Sequence, residues 1–568
     1  MPKVRPDRAA GEAATVNTRR EHAYIPTLKQ QLADGTIDRR GFLRTATLLG
    51  LSAAAAYAFA GQVAGARLLR PARADMPRGG TLRIGMKVLD VASPHTISRT
   101  SASNICRQVM DYLTKTGHDN ITRPYLLESW TPSDDLRTWT LHLRDGITWH
   151  NGRALTADDV VWNLKRVLDP ETGSSELGLM KGYMLDAYEE DGATKTRLWD
   201  ANAIELVDSR TVRLNCKVPQ LAVPEHLFHY PLLMLDPEEG GRFEPGANGT
   251  GAFELVDHQV GRKSVLKARA DHWGAGPFVD TLEFVDLGDD PTGEINAMTS
   301  HELDGIDIVD ILQLEAFELM PHLNIYEAQT ASTAVVRGKV TMKPFDDPRV
   351  RLALRLAIGC RLIQSLVHGD RGLPAEHHHV CPIHPEYAEL PFMDRDVTAA
   401  KRHLAEAGYP DGIDLGEIDC LTTPSWQFNA VQAMVEQWKD AGIRVKINLM
   451  PSADYWKIWD KTRFGFTEWS HRPLGVMALG LGYRSGVPWN ESGYANPAFD
   501  RLLTEAEGIL DPDERRVVMA KIEKIMQEDG PIVQPLWRSE VSVMDKRVKG
   551  FRMHPTTYIF GNELAIES

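Results

Sequence analysis

Residues 135–152 read DLRTWTLHLRDGITWHNG, and residues 156–160 read TADDV. In the first segment a tryptophan and two leucines alternate with polar residues, which predicts a strand with one buried face. In the second segment Thr156 and Asp159 have the spacing of a capping box, in which each side chain accepts a backbone N–H of the first helical turn. A strand followed closely by a capped helix indicates a chain of mixed α/β structure.

The length and charge of the chain predict how many lobes it has and which partners it does not bind. Its 568 residues are too many for one compact core, and typical domain sizes predict about three lobes. The net charge of −14 gives a surface that repels nucleic acid, so we expect no nucleic-acid partner. After residue 75 no apolar run approaches the roughly 18 residues that a membrane helix needs.

The N-terminal region carries a targeting pattern. Residues 39–44 read RRGFLR, and an apolar segment rich in Ala and Leu follows over 45–66. This pattern resembles a twin-arginine export signal, in which a receptor reads the arginine pair while the apolar segment enters the membrane. Residues 72–74, Ala-Arg-Ala, offer a cleavage site, so the mature chain is expected to begin near Asp75. The alternatives are an uncleaved membrane anchor and a basic helix with a buried Ala-rich face.

The cysteines do not form a disulfide framework. There are five of them, without CxxC spacing, and because the number is odd at least one is unpaired. A buried free thiol is expected for each. A bridge between Cys360 and Cys381 remains an alternative.

Other segments give weaker predictions. Asn104 is expected to cap a helix, and residues 169–200, with little periodicity, are expected to form a surface insertion. Ser425–Asp440 predicts a helix closed by Gly442. A strand is predicted over 443–449, and the helix-Gly-strand order is half of a βαβ unit.

Four later motifs accompany the stretch quoted first. They are GTGAF at 249–253, FDDPRVR at 345–351, AKRHLAEAGY at 400–409 and YANPAFD at 494–500. In this order they resemble the motifs of family 5 extracellular solute-binding proteins, the peptide, nickel and opine receptors of ABC importers. The resemblance covers nearly all of residues 80–560.

The resemblance implies a fold and a mode of action. The fold is α/β, the two-lobed periplasmic binding protein fold (type II, large cluster with an extra subdomain), with a ligand cleft between the lobes. Residues 1–74 are the implied signal region, 75–335 plus 539–568 lobe I with a subdomain over 124–247, and 336–538 lobe II. A monomer without cofactor would close on its ligand like a hinge and deliver it to the transmembrane subunits of an ABC permease in the periplasm.

The resemblance also points to residues that would contact the ligand. In the peptide receptors the segment matching 469–473 carries an aspartate that pairs with the α-amino group of the peptide, whereas this chain has His471 and Arg472 there and no acid. A guanidinium binds carboxylates bidentately, which favours a carboxylate-bearing ligand. The alternative is a structural ion pair between Arg472 and Glu468 or another acid. The predicted ligand-binding residues are Ser98, Arg99, Thr100, His378, His379, Trp426, Trp469, His471, Arg472, Trp489, Asn490, Glu491 and Tyr494.

A histidine cluster leaves three interpretations open. Glu376 precedes the run His377–His379, and His384 follows it. Its members could have a structural role, contact an organic ligand or bind a metal. Because consecutive histidines on a loop point in different directions and no Cys or HxxxH partner accompanies them, no metal site is predicted.

Together these patterns predict a function. It is that of a periplasmic solute receptor of an ABC importer that binds a small carboxylate-bearing solute, such as an amino-acid derivative, an opine or a short-peptide-like molecule. The alternatives are a secreted hydrolase, a nickel-type metal-chelate binding protein on the same fold, and a chemosensory or chaperone-like module. The chain contains neither GxSxG nor HExxH, so an enzyme is not predicted.

Overall fold

The computed structural model describes residues 21–63, 76–290, 292–369, 371–422 and 425–567. The helices are α1 (Ile25–Ala33), α2 (Arg39–Leu48), α3 (Ala53–Val63), α4 (Thr100–Val109), α5 (Ala157–Leu168), α6 (Glu176–Met184), α7 (Val223–His226), α8 (Thr292–Thr299), α9 (Leu314–Glu318), α10 (Pro348–Leu356), α11 (Cys360–His368), α12 (Val397–Glu406), α13 (Ser425–Asp440), α14 (Ser452–Tyr455), α15 (Gly475–Gly482), α16 (Pro497–Ala506) and α17 (Pro512–Glu528).

The strands are β1 (Thr81–Gly85), β2 (Thr114–Thr116), β3 (Thr122–Pro124), β4 (Leu127–Pro132), β5 (Thr138–Leu143), β6 (Leu185–Glu190), β7 (Ala193–Leu198), β8 (Ile204–Asp208), β9 (Thr211–Asn215), β10 (Phe253–Gln259), β11 (Lys263–Ala268), β12 (Thr281–Val285), β13 (Gly305–Ile306), β14 (Leu323–Gly338), β15 (Leu373–Pro374), β16 (Ile413–Leu421), β17 (Ile443–Met450), β18 (Phe464–Trp469), β19 (Ile532–Val533), β20 (Leu536–Asp545), β21 (Val548–Lys549) and β22 (Ala565–Ile566).

One large sheet joins the two lobes. Its strand order is β10-β11-β12-β1-β13-β20-β14-β18-β16-β17. In lobe I, β1 runs parallel to β12 and β13. In lobe II, β16 runs parallel to β17 and β18, and the predicted helix and strand are confirmed as α13 and β17.

The strands β14 and β20 lie between the lobes and belong to both. They pair antiparallel, and their register shifts between Gln329 and Ser332. Such a shift is a β-bulge, which bends the strand and increases its local twist. The predicted lobe boundaries, 335/336 and 538/539, fall inside these two strands, and this division of the chain stays a proposal.

Residues 135–152 contribute the strand β5 to a smaller sheet ordered β4-β5-β9-β8. Its strand β5 buries the tryptophan and both leucines as predicted, and α5 begins with the predicted capping box of Thr156 and Asp159. The prediction of a surface insertion over 169–200 holds for residues 186–192, which are mostly exposed, and is wrong for α6. This helix is mostly buried because it packs against α5 and α15.

The predicted start of α4 is also wrong. The helix begins at Thr100, one turn before the residue that was expected to cap it. Asn104 is fully buried inside the helix, where its side chain bonds the backbone of Thr557 and Ile559 at 3.0 Å each. A contact across some 450 residues therefore decides the position of Asn104, and the local sequence does not.

The N-terminal helices pack on the body of the protein. Arg44 donates from Nη2 to the Pro473 carbonyl at 2.5 Å, and Trp130 Nε1 donates to the Leu48 carbonyl at 2.8 Å. Within the described ranges no helix has the length and apolar character that crossing a membrane requires. The export signal stays a prediction, and its cleavage point at residues 72–74 lies outside the described residues.

All five cysteines are buried and free. The alternative of a Cys360–Cys381 bridge is therefore not realised. Instead the Cys360 sulfur lies 3.5 Å from His377 Nε2, and burial raises the pKa of both thiols. A protonated, enclosed thiol is unreactive, so these cysteines act as small apolar core residues.

Candidate functional site

A cleft lies where the parallel strands of both lobes end. Lobe I contributes Lys87, Asp286 and Asp307, which follow β1, β12 and β13, and lobe II contributes Leu421 and Ser452 at the ends of β16 and β17. In open α/β sheets, ligands bind in the crevice outside the carboxyl ends of the strands. The cavity has a volume of about 190 Å³.

A chain of alternating charges crosses this cleft. Arg99 Nη2 of lobe I lies 3.5 Å from Glu468 Oε2 of lobe II. The other carboxylate oxygen of Glu468 bonds Arg538, whose Nη2 is 3.1 Å from Glu540 Oε2. Burial alone would raise the pKa of Glu468, but the two guanidinium groups hold that pKa below its usual value. Glu468 is therefore a charged carboxylate at the centre of the cleft.

Both arginines also stack on tryptophans of lobe II. The guanidinium carbon of Arg99 lies 3.8 Å from the ring centre of Trp456, and that of Arg538 lies 4.0 Å from the ring centre of Trp426. Cation–π contacts of this kind contribute about 0.5–2 kcal/mol, more when water is excluded. They fix the planes of the guanidinium groups in the cleft.

The lobe I wall of the cleft is acidic. It carries Asp286, Asp289, Glu294, Asp307 and Asp310. Burial raises the pKa of Glu294 to about 7 and, together with the neighbouring Glu294, raises the pKa of Asp307 well above its usual value. Lys87 lines the same cavity and already pairs with Asp286 and Asp289, at 3.4 and 2.7 Å. A positive charge near Glu294 and Asp307 would favour their ionised forms, so this part of the wall suits a cationic group of a ligand.

Three predicted residues line the cleft: Arg99, Thr100 and Trp426. The Thr100 hydroxyl lies 3.2 Å from the hydroxyl of Ser470, which is a second contact between the lobes. Ser98 is half-buried beside them. The loop after the first strand thus supplies the lobe I side of the contact between the lobes.

Two other predicted residues lie behind the lobe II wall. Trp469 Nε1 donates to Glu491 Oε1 at 2.9 Å, and Arg337 Nε donates to Glu491 Oε2 at 2.8 Å. Thr467 also donates to this carboxylate, at 2.6 Å. Because three protein donors surround Glu491, it holds a buried ion pair and is not open to a ligand ammonium here.

Arg472 and His471 are also buried away from the cleft. Arg472 Nη1 bonds the Tyr230 hydroxyl at 3.0 Å and the carbonyls of Ser470 and His471 at 3.0 and 2.9 Å. Its guanidinium carbon lies 4.6 Å from the Tyr230 ring centre. His471 Nδ1 accepts the Ala331 N–H at 3.0 Å, which satisfies a backbone donor inside the β-bulge.

The predicted ion pair between Arg472 and Glu468 does not form, because Arg99 and Arg538 are the partners of Glu468. Among the described residues no carboxylate lies within 4.0 Å of the Arg472 guanidinium.

The histidine cluster belongs to a polar core. His378 Nε2 lies 3.5 Å from Glu376 and 3.7 Å from Glu523, and His379 Nδ1 lies 2.6 Å from the Tyr483 hydroxyl. Burial lowers the pKa of His379 to about 3, so its ring is neutral. The structure places the predicted ligand contacts His378 and His379 in the packing behind the cleft.

The remaining predicted residues hold loops together. Trp489 packs edge-on against Trp459 and Trp469, with ring centres 6.1 and 5.9 Å apart. Asn490 Nδ2 donates to the Tyr494 carbonyl at 2.7 Å, and the Tyr494 hydroxyl donates to Asp529 at 2.8 Å. These aromatic and amide groups support the lobe II wall from behind.

The acids of the lobe I wall and Arg538 are not among the ligand-binding residues predicted from the sequence. A signal for the acids exists, because Asp286 follows the strand residues FV directly and Asp307 follows GI. A polar residue immediately after a buried parallel strand lies at the edge where ligands bind. For Arg538, which sits within a strand buried throughout, the local pattern gives no such signal.

Comparisons with known proteins agree with this architecture. Residues 122–479 match the model of the bacterial extracellular solute-binding proteins, family 5. The dipeptide-binding protein DppE of Bacillus subtilis is 23% identical over 79% of this chain and 85% of its own length. The periplasmic oligopeptide-binding protein OppA of Escherichia coli is 24% identical over 84% of this chain and 92% of its own length.

Solved structures show the same fold. Haemophilus influenzae OppA in complex with the peptide RPPGFSPFR has a TM-score of 0.76 at 21% identity and covers 87% of this chain and 100% of that one. The binding protein AgaA of A. tumefaciens in complex with agropinic acid has a TM-score of 0.75 at 22% identity and covers 86% and 99%. At these identities the likeness shows the two-lobed fold and leaves the ligand open.

The family consists of solute-binding proteins, not enzymes, that work outside the cytoplasm with ABC permeases. Its model spans more than half of the sequence and includes β12 and β13 of lobe I and β16 and β17 of lobe II, which end at the cleft. The chain belongs to the family 5 bacterial extracellular solute-binding proteins.

Proposed function

We propose that this protein is a periplasmic receptor, exported by its twin-arginine segment, that delivers a small zwitterionic solute to an ABC permease. The solute is an amino-acid derivative, an opine or a short-peptide-like molecule with one ammonium and one carboxylate group. The observation that carries the proposal is the cleft itself, which has an acidic wall on lobe I and an arginine that reaches from lobe I to lobe II. The receptor acts as a monomer by hinge closure.

The charges of the cleft support a zwitterion. Asp307 and the neighbouring acids offer a place for the ammonium group. Arg99 offers a place for the carboxylate, because its side chain is 26% exposed and its 3.5 Å contact with Glu468 is loose. Arg538, by contrast, is only 4% exposed and is occupied by Glu468 and Glu540. The carboxylate preference predicted for Arg472 is therefore proposed for Arg99.

The volume of the cleft supports a small solute. A volume of about 190 Å³ lies below the roughly 300–1,000 Å³ of pockets that hold drug-sized ligands. In this conformation the cleft favours a molecule the size of an amino-acid derivative or a dipeptide over a long peptide.

The proposal can be tested by native mass spectrometry of the protein with its co-purifying solute, followed by calorimetric titration with matched compounds. The panel pairs each zwitterion with its decarboxylated amine and its N-acetylated acid. We expect the zwitterion to bind at least tenfold more tightly than either partner. Equal binding of the amine would remove the carboxylate from the proposal.

Two variants separate the two ends of the solute. Asp307→Asn should weaken the zwitterion and the amine alike. Arg99→Ala should weaken the zwitterion more than the amine, because the amine loses only the contribution of Arg99 to closure of the lobes. Asp145→Asn, at a site whose side chain is 86% exposed, is the control. If both cleft variants bound every compound like the wild type, the cleft would not be the solute site.

A further inference from the structure

A second polar cluster lies on lobe I, outside the cleft. His301 follows α8, His322 immediately precedes β14, and Asp545 ends β20. One ligand atom from each lies within 4.8 Å of the other two. We propose that His301, His322 and Asp545 form a binding site for a divalent transition-metal ion of the zinc type.

The backbone fixes two of the three groups relative to each other. Leu323, the residue after His322, is paired with Asp545 in the β14–β20 ladder. The Lys546 N–H donates to the His322 carbonyl at 2.9 Å. Because this ladder is part of the large sheet, His322 and Asp545 approach each other without any loop rearrangement.

The third group comes from a turn of unusual geometry. His301 has a φ of 58°, a left-handed conformation that is uncommon for a residue with a Cβ atom. Its Nδ1 lies 3.6 Å from Asp545 Oδ2, and its ring centre lies 4.6 Å from that of His322. Two imidazoles and a carboxylate thus converge from three separate segments.

A hydrogen bond prepares His322 for metal binding. Its Nε2 lies 3.2 Å from the Met298 carbonyl. A carbonyl can only accept, so Nε2 carries the hydrogen and Nδ1 keeps its lone pair. Metal-binding histidines almost always donate their other ring nitrogen to a carbonyl or carboxylate in this way, which fixes the tautomer and the ring orientation.

The carboxylate of Asp545 is paired with Arg547. Arg547 Nε lies 3.1 Å from Oδ1, and the backbone N–H of Arg547 also bonds Oδ1 at 2.9 Å. Arg547 Nη2 also reaches Oδ2, at the longer distance of 3.4 Å. The arginine therefore bonds Oδ1 more closely than Oδ2, and Oδ2 is the oxygen that faces His301.

The donor set selects the class of metal. Two imidazole nitrogens and one carboxylate oxygen suit zinc, nickel or copper, whereas calcium and magnesium prefer oxygen ligands alone. In a tetrahedral zinc site with bonds of about 2.1 Å, the ligand atoms lie about 3.4 Å apart. Small side-chain rotations within the 4.8 Å cluster reach this spacing. His301, whose side chain is 56% exposed, leaves room for a water ligand.

The site is separate from the solute cleft. Along β14, Leu323 beside the cluster and Ser332 in the cleft are about 30 Å apart at 3.3 Å per residue. A bound ion would join the turn after α8 to the ends of β14 and β20. It would hold lobe I together and leave solute binding unchanged.

The test uses the full chain purified with a histidine-free tag and stripped of metal. Titration with Zn²⁺, checked by equilibrium dialysis, should give one ion per chain. His301→Asn, which keeps a residue tolerant of positive φ, and His322→Gln should each lower the affinity at least tenfold. His403→Asn is the matched control, because His403 is half-buried and pairs with Glu406 at 3.5 Å far along the chain.

Electron paramagnetic resonance of the Cu²⁺-loaded protein gives a second readout. The wild type should show two coordinated nitrogens and His301→Asn one. Should His322→Gln fail to fold, the exposed His301 variant still decides the result. Wild-type zinc affinity in both variants, or binding of less than one ion per chain, would overturn the proposal.

Discussion

Arg99 at the start of α4 and Glu468 in β18 lie 3.5 Å apart across the cleft, and each belongs to a different lobe. Arg99 also stacks on Trp456 of lobe II at 3.8 Å. A single side chain of lobe I therefore makes a charged contact and an aromatic contact with lobe II. In the conformation described here, these two contacts link the lobes directly across the cleft.

Replacing Arg99 should open the unliganded protein. A partly exposed ion pair contributes about 0.2–1 kcal/mol and an exposed cation–π contact about 0.5–1 kcal/mol. Arg99→Ala should therefore shift the open–closed equilibrium about three- to thirtyfold towards the open form, and small-angle scattering should record a larger radius of gyration. Arg213→Ala, which breaks a pair with Glu205 inside the smaller sheet, is the control. Identical scattering curves for the two variants would contradict this role.

Arg472→Ala should lower stability more than it lowers solute affinity. Arg472 is 4% exposed, and its guanidinium stacks on Tyr230 and bonds three oxygens inside the protein. Removing it strands those acceptors, at a cost of about 1–3 kcal/mol for each unsatisfied group. Chemical denaturation of the solute-free protein measures the loss, and titration measures the affinity. Near-normal stability with a large loss of affinity would restore Arg472 to the ligand site that its sequence position suggests.

The buried histidines should make the protein sensitive to acid. Burial lowers the folded-state pKa of His379 to about 3, below its unfolded value of about 6.5. Between these values the unfolded state binds the extra proton, so stability falls as the pH drops below about 6.5, by about 1.4 kcal/mol per pH unit for one such histidine.

Buried Glu523, whose pKa is raised to about 9, acts in the opposite direction. The difference between wild type and His379→Gln therefore isolates the histidine term. Denaturation at pH 7.5, 6 and 5 should show that the free energy of unfolding of the wild type decreases relative to that of the variant as the pH falls. Parallel pH profiles would show that His379 does not contribute.

Export should depend on one arginine pair. Arg39→Lys with Arg40→Lys should keep the precursor in the cytoplasm, because a twin-arginine receptor reads the guanidinium pair. The chain offers its own control in Arg19 and Arg20, a second pair that no apolar segment follows directly. Cell fractionation measures the result. Equal periplasmic yield from both double variants would remove the twin-arginine assignment.

Local patterns predicted the elements with strong signals of their own. The alternation in β5 and the capping box of α5 are correct because both depend on residues within one turn or one strand. The start of α4 was wrong because distant backbone groups bind Asn104. No pattern within α4 records a partner so far along the chain.

Some of the residues that line the cleft were predicted incorrectly for a different reason. The sequence pointed to the segment that crosses the cleft but selected Trp469 and His471, whereas Glu468 and Ser470 line the cavity. Because successive side chains of a strand point to opposite faces, a shift of one residue exchanges the cleft for the core. Only the position of the neighbouring strands determines which face is which.

If the receptor closes on its solute as proposed, the β-bulge between Gln329 and Ser332 is the point in the shared sheet where the strand can bend. Because both lobes share one continuous sheet, most of the backbone of each lobe would move as a rigid body. A small change in the backbone torsions of the two or three residues in the bulge would therefore displace the far edge of each lobe by a large distance. His471 accepts a hydrogen bond from the Ala331 N–H, which lies inside the bulge. A slight change in the length of this side chain would therefore alter the angle between the two lobes.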